Sequence, residues 1–372
     1  MLTFINSSFC PSQQEHLPIP LYLDELMRTA SLQAVPIFII DALQTFLEGH
    51  PNHKPFAKDT FADKARRLQL VGQVMAFERM YAKHERVMAD LARLYATRGL
   101  RMMVLKGYGL SLDWPISNHR IVGDLDIYIS SDKQSEKGKM VPWQVADALV
   151  SEQCGIKVDD GHEHHTVFCF NGVTVENHYD FINTKAHRDA PKIEARLKQL
   201  AAKNSKKIEV EGATIYLPSA DFNAIFLMRH MGQHFAGDNL NLRQMLDWGF
   251  FVKAHSHEVD WDATIFFLKE IGLYQFFNHI NAICVDSLGF AEEFFPRIER
   301  NNYWEQRILK DILHPEFEEK KPNGGLLAIL RFKTKRWWRN RWKHQLVYND
   351  SLIMTFATLA WSHLKRFKTI KD

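Results

Sequence analysis

Cysteine is scarce: Cys10, Cys154, Cys169 and Cys284 are the whole complement, far apart and without a Cys-x-x-Cys pair. That spacing excludes a zinc ribbon or a secreted disulfide framework and points to a reducing compartment. Long apolar runs are missing too, since no stretch approaches the roughly 18 consecutive apolar residues that span a bilayer. The opening residues, MLTFINSSFCPSQQ, lack a charged start followed by an apolar stretch. The expected compartment is the cytoplasm. Neither charge sign dominates: 47 Lys and Arg against 44 Asp and Glu leave +3, so the surface as a whole is not a nucleic-acid footprint. No repeat of fixed period is present.

What is present describes a folded chain. Of 372 residues, 46% are apolar, 12% aromatic and 24% charged, which excludes disorder, collagen and coiled coil. Residues 21–46 and 60–98 carry apolar residues at mixed three and four spacings, separated by Pro51 and Pro55, and predict helices without evident chemistry. Leu68, Val71, Met75 and Met80 are read there as ordinary helix core. After Gly99 the texture changes. Residues 101–105 and 121–129 predict strands, 141–154 a helix, and 166–170 with 173–181 a hairpin around Asn171-Gly172. A second hairpin, 207–210 with 213–217, turns at Glu211-Gly212, and helical spacing returns over 218–235, 240–254 and 260–271. Residues 320–325 (KKPNGG) read as a hinge before a C-terminal tail.

The stretch richest in chemistry is Arg120-Ile-Val-Gly123-Asp124-Leu-Asp126-Ile-Tyr-Ile129. In an extended strand alternate side chains share a face, so Asp124 and Asp126 converge while Leu125 and Ile127 enter the core. Carboxylates that close repel unless a cation lies between them, and hard oxygen donors suit Mg²⁺ held jointly with substrate phosphates. Upstream, an apolar strand ends in Lys106-Gly107; downstream, one strand carries Glu176, His178 and Asp180 at alternate positions. Gly107 permits close approach of backbone to phosphate, Lys106 adds a point charge, and Arg120 offers a bidentate fork to a phosphate or a clamp on the aspartates.

These elements, Val104-Leu-Lys106-Gly107, Arg120 with Gly123-Asp124-Leu-Asp126-Ile127, and Val173-Thr-Val-Glu176-Asn-His178, resemble the polymerase-β-like nucleotidyltransferase superfamily, in its bacterial branch of uncharacterised nucleotidyltransferases. A fainter match adds Leu217-Pro-Ser219, His230, His234 and residues 242–247, so the resemblance covers roughly residues 99–270. It implies an α+β fold: a small mixed sheet with helices, flanked by helical N- and C-terminal regions. It also implies Asp124, Asp126 and Glu176 as a metal-binding catalytic triad for Mg²⁺ or Mn²⁺, with Lys106, Gly107, Arg120 and Gly123 at an NTP. Glu176 is preferred to His178 and Asp180 because it is nearest the hairpin and stands at the family position. The chain departs from the family in having Tyr108, a bulky residue, where Gly or Ser usually follows the glycine.

The implied function is Mg²⁺-dependent transfer of a nucleoside monophosphate from an NTP to an acceptor hydroxyl with release of pyrophosphate, across two ions about 3.5–4 Å apart. The acceptor is expected to be a small molecule, sugar or protein rather than nucleic acid, and the chain a monomer. Alternatives are a non-catalytic nucleotide-binding regulatory module, or a peripheral membrane or partner-binding protein. The latter rests on residues 331–343 (RFKTKRWWRNRWK), with seven basic and four aromatic residues and no acid, a composition suited to an anionic membrane surface or a nucleic acid. Contact through 331–372 would place the protein at the inner membrane surface. His178, His230, Arg243 and Asp247 are candidates for the surroundings of the site; Arg243 and Asp247 either pair at i, i+4 or face the nucleotide. His230 and His234 share a helix face and are read as packed histidines. Residues 159–165 (DDGHEHH) are read as a loop from Asp160-Gly161 and its polar neighbours; adjacent histidines on a strand point to opposite faces and cannot all bind one ion, which leaves one of His164 or His165 to reach the cleft. The expected organisation is a helical region (1–98), a transferase core (99–217), a helical lobe closing the cleft (218–300) and a basic aromatic tail (301–372).

Overall fold

The computed structural model describes residues 22–49, 64–131, 140–185, 187–203, 205–237, 239–317, 319, 322 and 325–352. Cys10, Pro51, Pro55, most of the 320–325 hinge and the apolar end of the tail beyond residue 352 lie outside them. The protein is α+β, with one six-stranded mixed sheet. The strands are β1 (Leu100–Val104), β2 (Leu125–Ser131), β3 (His165–Phe170), β4 (Val173–His178), β5 (Ser205–Val210) and β6 (Ala213–Pro218), in spatial order β3-β4-β2-β1-β6-β5. β1–β2, β3–β4 and β5–β6 are antiparallel, whereas β2–β4 and β1–β6 are parallel.

Both hairpins turn on residues with positive φ, Asn171-Gly172 (47° and 71°) and Glu211-Gly212 (49° and 71°). Two successive positive φ values give the turn whose twist matches the flanking strands. Alternation along each strand then sorts side chains to two faces. Val104, Leu125, Ile127, Ile129, Phe168, Val175 and Ile215 face a layer made by α3 (Lys64–Ala96) and α5 (Pro142–Cys154). Met103, Tyr128 and Tyr216, on the opposite face, abut a much larger helical core. That core is built from α1 (Leu23–Leu32), α2 (Pro36–Gly49), α6 (Ala190–Lys203), α7 (Ala220–Gly237), α8 (Leu242–His255), α9 (Trp261–Glu270), α10 (Tyr274–Asp286), α11 (Asn302–Leu313) and α12 (Leu326–Val347). The remaining helix, α4 (Tyr108–Ser111), is a single turn between β1 and β2.

Several sequence expectations change. The apolar run 21–46 is two helices, because Ala34 takes φ 56° and Pro36 opens the second. Leu68, Val71, Met75 and Met80 are not core but exposed, at 62%, 54%, 50% and 45%. The inward face of α3 is instead Leu70, Val74, Phe77, Tyr81, Met88 and Tyr95, since the apolar residues of its first turns fall on two sides. β2 begins at Leu125 rather than 121, and β4 ends at His178, leaving Asp180 outside it in an ion pair with Lys198.

The basic aromatic stretch is a helix docked on α7 and α11, not a free tail. Asn340, Trp342, Lys343 and His344 are buried while Trp338 stays 60% exposed. Trp342 stacks on Trp304 and lies under the Arg307 guanidinium, 4.0 Å from the ring centre. Lys343 Nζ meets Asp311 Oδ2 at 2.5 Å with both side chains out of solvent. Among the described residues no helix is long and apolar enough to cross a membrane.

Removing one partner of a desolvated ion pair leaves the other charge buried alone. Lys343→Met is therefore expected to cost about 3–5 kcal/mol in urea unfolding, and the double change Lys343→Met with Asp311→Leu to recover most of it.

Candidate functional site

A cleft of about 300 Å³ opens between the second face of the sheet and the helical lobe. One wall carries Lys106, Gly107, Arg120, Gly123, Asp124 and Asp126; the other carries His230, His234, Asn239, Asn241, Arg243 and Gln244. Beside Asp126, which lines the cleft, the parallel β2–β4 register sets Glu176. Because alternate residues share a face, His178 joins them, and donor atoms of Asp126, Glu176 and His178 all lie within 4.8 Å of one another.

The two aspartates occupy different environments. Asp126, on β2, is buried; Asp124 sits in the loop just before the strand and is exposed. Burial alone would raise the Asp126 carboxyl, but the Lys106 ammonium at 3.0 Å and the His178 Nε2 hydrogen bond at 3.1 Å hold it well below the ordinary carboxylate range. Asp124 is pushed up, by partial burial first and then by the neighbouring charges of Glu176 and Asp126. For His178, burial works to lower its pKa, yet hydrogen bonds to Asp126 and Glu176, the latter at 3.4 Å, carry it above the usual imidazole value.

Gly107 has φ 64° and starts the single turn of α4, a conformation that favours glycine. Tyr108 does not crowd the cleft. Its ring packs on Tyr81, with centroids 5.2 Å apart, and its hydroxyl donates to Glu85 at 3.0 Å, so the bulky side chain belongs to the layer under the sheet. The helix α3, in which sequence reading finds no chemistry, also fixes the aspartate loop: His84 Nε2 hydrogen-bonds the Gly123 carbonyl at 2.6 Å.

Arg120 is spoken for. Its Nε and Nη2 each donate to Asp247 at 2.7 Å, a buried bidentate pair that Trp114 Nε1 completes at 2.9 Å. It thus clamps the loop to α8 rather than clamping Asp124 and Asp126, and Asp247 pairs with Arg120 rather than with Arg243. Arg243 reaches the Ile121 carbonyl at 3.4 Å, and its buried Nε has no partner. Burial, then the charge of Arg120, lower its pKa. His230 and His234 pack edge to face at 4.5 Å; His230 is driven well below its usual pKa by burial and then by Lys106.

A second group forms around His164 and His165, which strand alternation would send to opposite faces. His164 precedes β3, so strand alternation does not govern it, and its ring meets that of His165 at 4.5 Å and that of His178 at 5.6 Å. The Asp159–Gly161 segment is a loop as expected, held by Gly161 N–H donating to Asp159 at 2.9 Å. The histidines after it, however, converge instead of diverging. Burial, followed by neighbouring imidazoles, brings His164 down to about 3; burial also brings His165 down to about 4, against the pull of Glu176.

The sign of the His178 shift gives a pH dependence. A histidine whose folded pKa lies above its unfolded value stabilises the fold fully below about pH 6.5 and loses that contribution as pH rises through the folded value. In chelator, the stability difference between wild type and His178→Gln, measured by urea unfolding, is expected to be largest near pH 6 and to shrink steadily towards pH 9.

No curated protein matches the chain. A solved structure, that of an antigenic nucleotidyltransferase-like protein from Paracoccidioides brasiliensis, is similar at 14% identity over 46% of this chain and 75% of that one, with a TM-score of 0.34. The sequence profile of a family described as uncharacterised nucleotidyltransferase matches residues 56–289, a span that contains β1 to β6 and both walls of the cleft. The chain belongs to that uncharacterised nucleotidyltransferase family.

Proposed function

We propose that the protein transfers a nucleoside monophosphate from an NTP to an acceptor hydroxyl on a small molecule, sugar or protein. The observation that carries this reading is the β2–β4 register, which sets the Asp126 and Glu176 carboxylates side by side next to the Lys106-Gly107 turn and the exposed Asp124. All three are hard oxygen donors, and Asp126 is kept ionised despite its burial. The Asp126 and Glu176 carboxylates, whose donor atoms lie within 4.8 Å of each other, fit Mg²⁺ or Mn²⁺ and would hold it, with Asp124, which stands outside that group, completing the set from its exposed loop. A divalent ion bound there supplies charge neutralisation for the leaving pyrophosphate and lowers the pKa of the acceptor hydroxyl.

The chain's own residues do the positioning. Gly107, with its positive φ, brings backbone to the cleft wall, and Lys106 places an ammonium beside it. Arg243, with its unpartnered Nε on the opposite wall, takes the phosphate-binding part that Arg120 cannot, since the Arg120 fork is filled by Asp247. His84 and the Arg120–Asp247 clamp keep the Gly123–Asp124 loop in register with the cleft. The acceptor oxygen attacks the α-phosphorus, the α–β anhydride bond breaks, pyrophosphate leaves and the acceptor proton passes to Glu176. Catalysis of this kind is positioning plus charge compensation.

One observation favours a second reading. Lys106 Nζ already neutralises Asp126 at 3.0 Å, as in a site that binds a nucleotide without turning it over. Incubation with each α-labelled NTP, Mg²⁺ or Mn²⁺ and a cell extract as acceptor source separates the two. Transfer is expected with wild type and at least about 100-fold less with Asp124→Asn or Asp126→Asn. Equal label transfer by Asp124→Asn overturns the triad. Nucleotide binding by calorimetry without pyrophosphate release in any extract supports the non-catalytic module.

A further inference from the structure

We propose that His164, His165 and His178 form a site for one transition-metal ion of the Zn²⁺ class, beside the cleft and different in donor chemistry from the carboxylate site. It stands whether or not the cleft transfers nucleotides.

The three imidazoles come together for reasons the fold makes plain. His165 and His178 are directly opposite each other in the antiparallel β3–β4 ladder. Cross-strand neighbours on one face lie within side-chain reach, and these rings are 5.1 Å apart. His164, one residue outside the strand, turns its ring onto the same side. One nitrogen from each residue can be chosen so that all three lie within 4.8 Å of one another. Modest side-chain rotation then brings them to the Zn–N distance of about 2.0–2.1 Å.

Their hydrogen bonding is unfinished in a way that suits a metal. His164 Nδ1 and His165 Nδ1 are both buried without a partner, and buried polar atoms ordinarily have one. The Asp180 carbonyl lies 3.3 Å from His178 Nδ1, a contact that places a proton on Nδ1 and turns Nε2 towards the group. Glu176 stands ready as a fourth donor, with Oε1 4.0 Å from His165 Nε2 and Oε2 3.4 Å from His178 Nε2. An approach from solvent exists along His162, which stacks on His165 at 4.7 Å and is 46% exposed in its side chain.

Three imidazoles and one carboxylate make a borderline donor set that prefers Zn²⁺ or Co²⁺ to Mg²⁺. The ion would take His178 Nε2, releasing to solvent the proton that this nitrogen now donates to Asp126 and leaving Lys106 as the partner of that aspartate. The two sites therefore share one carboxylate, Glu176, and are linked through His178, which bonds Asp126.

The test uses the full chain, stripped with chelator and titrated with Co²⁺ in millimolar Mg²⁺. The expected result is visible d–d absorption that saturates at one Co²⁺ per chain and is bleached by Zn²⁺. His164→Ala and His165→Ala should each weaken binding by more than about 100-fold, beyond the loss seen for residues that only support a ligand, while Asp124→Asn binds as wild type does. Zinc-edge X-ray absorption of the wild-type complex, which needs no variant to fold, should count about three imidazoles. Absence of stoichiometric Co²⁺ binding, undiminished binding by the His164→Ala, His165→Ala double variant, or fewer than two imidazoles at the edge would each overturn the proposal. A chain that binds Co²⁺ in this way but transfers no label upholds the histidine site and counts against the transferase reading alone.

Discussion

The charge on Asp126 has almost no access to water, and the cleft is organised around compensating it. A carboxylate taken out of solvent costs several kcal/mol unless partners restore what hydration supplied. Here they come from two directions: Lys106 from the end of β1 and His178 from the end of β4. The requirement fixes three chain segments relative to one another at the place where Glu176 and Asp124 also gather. The same logic recurs at the cleft's other edge, where Arg120 and Asp247 neutralise each other out of solvent and join the loop before β2 to α8. One ion pair at the end of β1 and one from the loop before β2 to the helices thus border the cleft.

How far the sequence discloses this depends on the range of each interaction. Local signals are readable: Asn171-Gly172 and Glu211-Gly212 mark the two hairpins, and Asp124-Leu-Asp126 stands out because its neighbours are apolar and β-branched. The α+β class follows from those elements. Partners far apart in the chain leave no such mark. The Arg120 fork looks free in sequence because Asp247, 127 residues on, advertises itself only as an i, i+4 neighbour of Arg243. Tyr108 looks obstructive until α3 is seen to supply Tyr81 and Glu85 beneath the sheet. His164 escapes the alternation rule by lying one residue before the strand begins. In α3, period alone does not say which of two apolar stripes faces inward.

The helices that lack chemistry still hold the site. Gln33, at the end of α1, donates to the Ile312 carbonyl of α11 at 2.9 Å and accepts from the Leu242 amide of α8 at 3.0 Å. One buried side chain therefore links the first described helix, a late helix and the helix that carries Arg243 and Asp247. The helices before β1 and after β6 share a single apolar core, so the far wall of the cleft depends on residues from both ends of the described chain.

The docking of α12 carries a practical lesson about its cationic face. Trp342, Lys343 and Val347 cover apolar surface of α7 and α11, while arginines of the same helix lie open to solvent. A polypeptide cut short before this helix would present freshly bared tryptophan and phenylalanine sockets, and its altered stickiness would report lost packing, not lost charge. Only point replacements of outward arginines, with the inward half of the helix left in place, would separate electrostatic adhesion from structural support.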